Sequence, residues 1–429
     1  MQAAAPAFSR RPNYKWWVVG MLWFCGFFNY ADRQAIFSVF PLLQTEMSLD
    51  KLQLGMLGSS FAFVYGICAP LAGNIVDRVR RKAAVLWGLN TWSLICMATA
   101  LSRNFRHLLA FRAAEGLGET FYFPASMSIV SDYHGRATRS RAMGWHQTAV
   151  YVGTIAGGFF GGLISQRYGW RSSFIVFGGL GVVLGFALSK LLVEPERGAA
   201  DLADFGVRPH ESHRMPISEF IKVIWATPTV LLCMGAFTLG NFVAMVLLSW
   251  MPSFLFERFH LSLAMSGLTA TIFVQLASMA GSPLGGWMAD SLRRRFVGGR
   301  IAIQLLGVVG AAPFVIWCGQ TLSVGSLMVA LTFWGLFKGV YDANIFASVF
   351  DVIRPEARGT AVGFMNMVGW LFGAATAPIV TGYIAQKASL GYAISIASVA
   401  LLAAALMLAA AIFFTVSRDV EKLRRQLEQ

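Results

Sequence analysis

The chain has 429 residues and a net charge of +14, with 56% of residues hydrophobic and only 13% charged. Soluble domains carry roughly 25% charged residues, so this composition excludes a soluble enzyme or binding domain. Apolar runs of about 20 residues, the length that crosses ~30 Å of hydrocarbon, recur along almost the whole sequence. In chain order the predicted spans are 16–40, 53–76, 83–102, 106–130, 142–165, 172–192, 228–255, 265–289, 301–319, 325–350, 360–385 and 391–416. That is the pattern of an all-α membrane protein with twelve transmembrane helices. The first run is too long for a cleavable signal peptide and lacks an A-x-A-like exit, so it is expected to remain as a span.

With the N-terminus in the cytoplasm and sides alternating, about two dozen of the 35 Lys and Arg fall in cytoplasmic segments. They include Arg10, Arg11, Lys15, Arg136, Arg139, Arg141, Arg418, Lys422, Arg424 and Arg425. About seven, among them Lys51, Arg103, Arg106, Arg167 and Arg258, fall opposite. This positive-inside bias orients both termini to the cytoplasm and accounts for the surplus charge without a nucleic acid. Residues 193–222 are polar, mixed in charge and interrupted by Pro195, Pro209 and Pro216. They divide the chain into a six-helix half (1–192), a cytoplasmic linker (193–222), a second half (223–416) and a cytoplasmic tail (417–429). The five cysteines all lie in apolar spans, without metal-site spacing or a disulfide framework.

Ionisable residues inside spans are expensive and mark function by default. In span 1, Asn29-Tyr30-Ala31-Asp32-Arg33 interrupts an aromatic run. Neighbouring helical residues point about 100° apart, so Asp32 and Arg33 each need another partner. Span 2 ends in Gly73-Asn-Ile-Val-Asp77-Arg78-Val-Arg80-Arg81-Lys82. In span 4, Arg112, Glu115 and Glu119 are spaced by three and four, which places them on one helical face. Counting at ~1.5 Å per residue puts Glu119 near the midplane and Arg112 level with Asp32 and Arg33. Burial favours the protonated carboxyl and a nearby arginine the carboxylate. A carboxylate whose arginine is claimed by an anion would therefore take up a proton; the alternative is a structural ion network.

Span 5 carries Gly153, Gly157 and Gly161 at the spacing that lets helices approach closely in lipid. It also carries His146, readable as a cavity group or a hydrogen-bonded core residue. Span 8 ends in Gly286-Trp-Met-Ala-Asp290-Ser-Leu-Arg293-Arg294-Arg295, a second copy of the span 2 motif. In span 10, Lys338 and Asp342 are four apart; Lys338 either faces the cavity as a further cation or is satisfied by its pair.

A glycine, an aspartate four residues on and a basic cluster, seen twice half a chain apart, resembles the loop signature of the major facilitator superfamily. The resemblance implies two pseudo-symmetric six-helix halves with spans 1, 4, 7 and 10 lining a central cavity. It also implies a conformational latch: Gly73, Asp77, Arg78 and Arg81 against the start of span 11, with Asp290 in the corresponding place. A carboxylate at a helix N-terminus is worth roughly 0.3–2 kcal/mol, enough to bias a balanced equilibrium. Asp77→Asn is therefore expected to slow turnover with little change in substrate binding. Undiminished transport would refute that role.

Asn29-Tyr30-x-Asp32-Arg33, with Arg112 seven before Glu119 and Phe123-Pro124-Ala125 following, is similar to the anion:cation symporter family. Gly116-Leu117-Gly118-Glu119 equally resembles the spinster branch of lysolipid and sphingolipid transporters, and Asp351 to Gly359 suits both. Span 5 lacks the proline-containing glycine motif of the drug antiporters. The first resemblance implies proton-coupled symport of a small organic anion, such as a sugar acid, across a bacterial inner membrane by a monomeric carrier with no cofactor beyond the coupling proton. Asp32 and Glu119 would carry protons; Arg33, Arg112 and Lys338 would hold the anion, with Tyr30 adding a hydroxyl. The alternative is a lysolipid carrier using the same charges. No nucleophile–base pair or metal motif suggests an enzyme, and no appended domain suggests a receptor.

Overall fold

The computed structural model describes residues 13–135, 137–205, 222–354 and 357–427, and their regular structure is helical. Span 1 is Tyr14–Ser38, continued after a break at Val39 by Phe40–Glu46. Spans 2 and 3 are Lys51–Arg78 and Arg81–Thr99. Span 4 is two helices, Phe105–Glu119 and Tyr122–Tyr133. Spans 5 to 9 are Arg139–Tyr168, Trp170–Leu191, Pro228–Phe259, Leu263–Arg293 and Gly299–Gln320. Span 10 is again divided, into Val324–Asp342 and Ile345–Phe350. Span 11 runs as Arg358–Val368, a π-helical turn Gly369–Ala374, and Ala377–Lys387. Span 12 continues through a second π-turn into the amphipathic tail helix Val416–Leu427. Each overlies one of the twelve predicted runs.

Among the described residues, nine helical segments are long and apolar enough to cross a bilayer by composition alone. Spans 1, 3 and 4 fall short, and spans 1 and 4 are the two that carry the buried charges of the first half. The linker contributes a short helix, Ala199–Phe205; residues 206–221 lie outside the described segments.

The helix starts are secured differently at the two faces. Away from the termini, five of the six starts use their own side chain, the exception being span 6, which begins after Gly169. Asp50 and Gln53 form a reciprocal capping box at 2.8 and 3.0 Å, and Asn104, Ser262, Ser323 and Ser389 cap spans 4, 8, 10 and 12. On the face carrying the termini, two starts are capped from far along the chain. Glu194 accepts from the Arg81 and Lys82 amides at 2.8 and 2.6 Å, and Asp419 accepts from the Thr229 amide at 3.0 Å. The segment after the last helix of each half is thereby pinned to an earlier helix of the same half.

Glycines set how the halves meet. Gly153, Gly157 and Gly161 press span 5 onto Phe27, Ala31 and Ala35 of span 1, within the first half. Gly158 and Gly162 turn the other side of span 5 onto Gly267 and Leu263 of span 8, in the second half. Span 2 meets span 11 in the same way, with Gly55 and Gly58 against Pro378 and Gly66 against Leu371 and Trp370. These approaches, the Gln34–Leu248 hydrogen bond of 3.0 Å and the Lys51–Glu257 ion pair of 2.7 Å all lie toward the face away from the termini. On the other side, a Cβ added at Gly73, Gly144, Gly286, Gly359 or Gly363 would meet nothing within 4 Å. The halves are closed at one face and parted at the face that carries the termini.

Candidate functional site

Side chains of both halves meet around Arg33 of span 1. This side chain, 9% exposed, bonds Glu119 through Nη2 and, at 3.1 Å, through Nε. Nη2 also reaches Asn29 Oδ1 at 3.3 Å. The guanidinium is enclosed by rings: Tyr30 at 4.6 Å, Phe61 at 4.7 Å, Tyr65 at 5.2 Å and Trp370 at 5.5 Å. Such contacts hold a cation without neutralising it. Nη1 of Arg33 and Oε1 of Glu119 are buried without a hydrogen-bond partner.

Deeper in the same half, Arg112 bonds Glu115 and is fully buried, its guanidinium 5.1 Å from the Phe61 centroid. The count along span 4 puts Arg112 beside the anion, level with Arg33; in this conformation the fold withdraws it from the cavity, with Glu115 as its partner. Asp32 accepts from the Arg33 amide at 2.7 Å and has no arginine bonded to its carboxylate among the described contacts. One of its oxygens, a Glu115 oxygen and the Cys96 sulfur lie within 4.8 Å of one another. With Arg112 bonded to Glu115, that convergence is poorly suited to a second cation. Around Arg33 and Arg112 the first half thus buries three carboxylates, Asp32, Glu115 and Glu119, with two guanidinium groups.

The second half answers with one exposed pair. Lys338 bonds Asp342 along span 10, both side chains partly open to the cavity. Tyr151 of span 5 lies within Coulombic reach of both, and of Tyr30, so the pair faces the first half. Lys338 stands 219 residues after Glu119, Arg300 219 after Arg81 and Asp351 219 after Asp132. The repeat therefore places a base on span 10 where span 4 has an acid. Both helices end at the charged group: Glu119 closes Phe105–Glu119 and Asp342 closes Val324–Asp342.

Among the described residues, the loop-motif side chains pair within their own halves. Gly73 has open space, Arg78 is exposed, and Arg81 pairs with Asp132 inside the first half. The side chain of Asp77 lies outside what the structure describes. Asp290 takes Arg300 at 2.9 Å, while Arg300 and Arg293 share Asp351 at 2.7 and 3.2 Å. Each motif region is thus tied to its own half at the parted face. His146 is buried, with Nε2 2.8 Å from the Tyr122 hydroxyl, which itself donates to the Leu22 carbonyl at 2.6 Å: a core residue rather than a cavity group. The five cysteines are free thiols.

Phe61, Tyr65 and Trp370 were not legible as site residues. The first two are four apart in span 2, hence on one face, and a face count there could have flagged them. Trp370 reaches Arg33 only because the halves meet.

Two six-helix halves with paired buried charges where they meet define a multi-pass membrane transport protein rather than an enzyme. The chain belongs to the Major Facilitator Superfamily, whose family model matches residues 22–317 and 259–429. It is 27% identical over 385 residues to protein spinster of Drosophila melanogaster, covering 87% of this chain and 62% of that protein's length. It is 24% identical to the hexuronate transporter of Bacillus subtilis, covering 86% of this chain and 88% of that one. It is 25% identical to a probable galactarate/D-glucarate transporter of Escherichia coli, covering 90% of each. In fold it is similar to a bacterial homologue of the human lysosomal transporter spinster, solved inward-facing and occupied. The TM-score is 0.81 at 20% identity, over 95% of this chain and 99% of that one.

Proposed function

We propose that the protein moves a small organic anion, a sugar acid or related carboxylate, in symport with protons by alternating access across a bacterial inner membrane. The observation that carries this is the Arg33–Glu119 pair where the halves meet. A substrate carboxylate competes with Glu119 for the same guanidinium, which suits bidentate recognition. Once Arg33 turns to the substrate, Glu119 is left in a low-dielectric site without its cation, where the protonated form is favoured. Anion binding and proton uptake are thereby linked through one arginine.

Charge counting supports the same reading. Three buried carboxylates and two buried guanidinium groups carry one surplus negative charge, and burying it is costly. One proton makes the cluster neutral. Asp32, with no cation bonded to its carboxylate, is the group we assign to hold it. Lys338 would meet the anion from the second half by leaving Asp342. The positive-inside rule makes the parted face cytoplasmic, so the conformation is inward-open. Sugar acids in the names of two relatives supply the substrate class.

The test is uptake by the purified protein in proteoliposomes under an imposed inward proton gradient. D-glucuronate, D-galacturonate and D-galactonate would be tried beside a fluorescent lysolipid, with and without protonophore. Accumulation of an acid that the protonophore abolishes is the expected result. Lipid movement without acid uptake would replace the reading with a lysolipid carrier, in which Arg33 grips a phosphate.

A further inference from the structure

Arg33 is enclosed by groups of the first half on every side but one. Tyr30 comes from span 1, Phe61 and Tyr65 from span 2, and Glu119 from span 4. The remaining ring, Trp370, belongs to the second half. It is carried by the π-helical turn Gly369–Ala374, closed by a 2.8 Å bond from the Ala375 amide to the Trp370 carbonyl, five residues back. Single π-turns inside α-helices recur at functional positions. Gly369 and Gly373, four apart, press this turn onto Phe237, Thr238 and Asn241 of span 7, so the indole is directed away from its own half. It lands on Tyr65, with ring centroids 4.8 Å apart.

The level of this contact matters. Beyond it, Gly58 and Gly55 of span 2 lie against the side chain and backbone of Pro378 in span 11; before it, a Cβ added at Gly73 or Gly363 would meet nothing within 4 Å. Trp370 and Tyr65 therefore form a contact between the halves directly over the guanidinium.

We propose that Trp370 is a specificity-determining lid, which covers Arg33 and admits solutes that carry a negative charge. The proposal rests on Arg33 being the anion's partner. A ring over a guanidinium is held by a modest cation–π attraction. A carboxylate forms charge-assisted hydrogen bonds, which are stronger and directional, so it displaces the indole. A neutral sugar of the same size offers only ordinary hydrogen bonds and leaves the lid in place. Nη1 of Arg33, buried without a hydrogen-bond partner under these rings, is the donor the displacement would free.

Two measurements on the full-length protein in liposomes separate the lid from the substrate reading. The first needs no substrate: arginine-selective modification by phenylglyoxal, followed at Arg33 by mass spectrometry. Trp370→Ala is expected to raise the rate at Arg33 at least fivefold, whereas Trp370→Phe, which keeps a ring, stays within twofold of the unmodified protein. Equal rates in all three overturn the lid. The second compares competition by D-glucuronate and by its neutral amide, D-glucuronamide, against the acid transported in the uptake screen. The preference for acid over amide is expected to fall about tenfold in Trp370→Ala and to be largely restored in Trp370→Phe. An unchanged preference overturns the specificity role even if Arg33 has become reactive. A raised Arg33 rate in a protein that takes up no acid keeps the lid and removes the anion reading.

Discussion

Replacing Glu119 with Gln is expected to abolish proton-driven accumulation while leaving counterflow exchange largely intact. A gradient of one pH unit supports about tenfold accumulation for one proton per transported charge. The variant should bring its substrate only to equilibrium across the membrane. The amide oxygen of Gln can still accept from Nε and Nη2 of Arg33, so the local geometry is retained. The side chain can no longer take up a proton when the anion claims Arg33. Exchange of one substrate molecule for another needs no net proton movement and should remain within about threefold. If the pair were only structural, removing one partner of a buried ion pair would cost roughly 3–5 kcal/mol. Accumulation, exchange and thermal stability would then fall together. Parallel measurement of the three on one preparation decides between the roles.

Gly267→Val should act on the conformational equilibrium rather than on the site. A Cβ at Gly267 runs into the Gly158 carbonyl across the boundary between the halves. The obstacle is backbone on backbone, with no flexible side chain to yield. Overpacking typically costs roughly 1–3 kcal/mol, and each 1.4 kcal/mol is about tenfold in a population. The closed outer face should lose about ten- to a hundredfold in population on that basis. Spin labels at Thr45 and Arg258, both exposed at the outer face and on opposite halves, should report a longer distance, with uptake reduced. Stability of each half should hold, because the contact lies between them. Gly73→Val is the matched control. It meets nothing in this conformation and should instead hinder closure of the face that carries the termini, lengthening the dwell in the present conformation. A shift in the same direction for both variants would contradict rigid-body rocking of the halves.

Much of this architecture is written in one dimension. Hydrophobic run length is a local property matched to bilayer thickness, so the twelve spans follow from counting. Helical periodicity likewise sets Lys338 beside Asp342 and puts Arg112, Glu115 and Glu119 on one face, since residues three and four apart share a face. The duplicated Gly-x-x-x-Asp motif announces two halves because a repeat survives as spacing. Span 5 marks the limit: Gly153, Gly157 and Gly161 form a visible row, yet only the fold separates the row against span 1 from Gly158 and Gly162 against span 8.

The membrane-spanning class, the number and order of spans and the small set of buried charges were all legible in the sequence. Those are consequences of run length, charge bias and the cost of ionisable groups in hydrocarbon. Only the tertiary structure decided which arginine meets which carboxylate. Arg33 takes Glu119 from another span, Arg112 turns to Glu115 on its own helix and leaves the cavity, and Trp370 arrives from the far half. Pairing across helices depends on depth, rotation and how closely glycines let two backbones approach, and none of these is a property of any single stretch of chain.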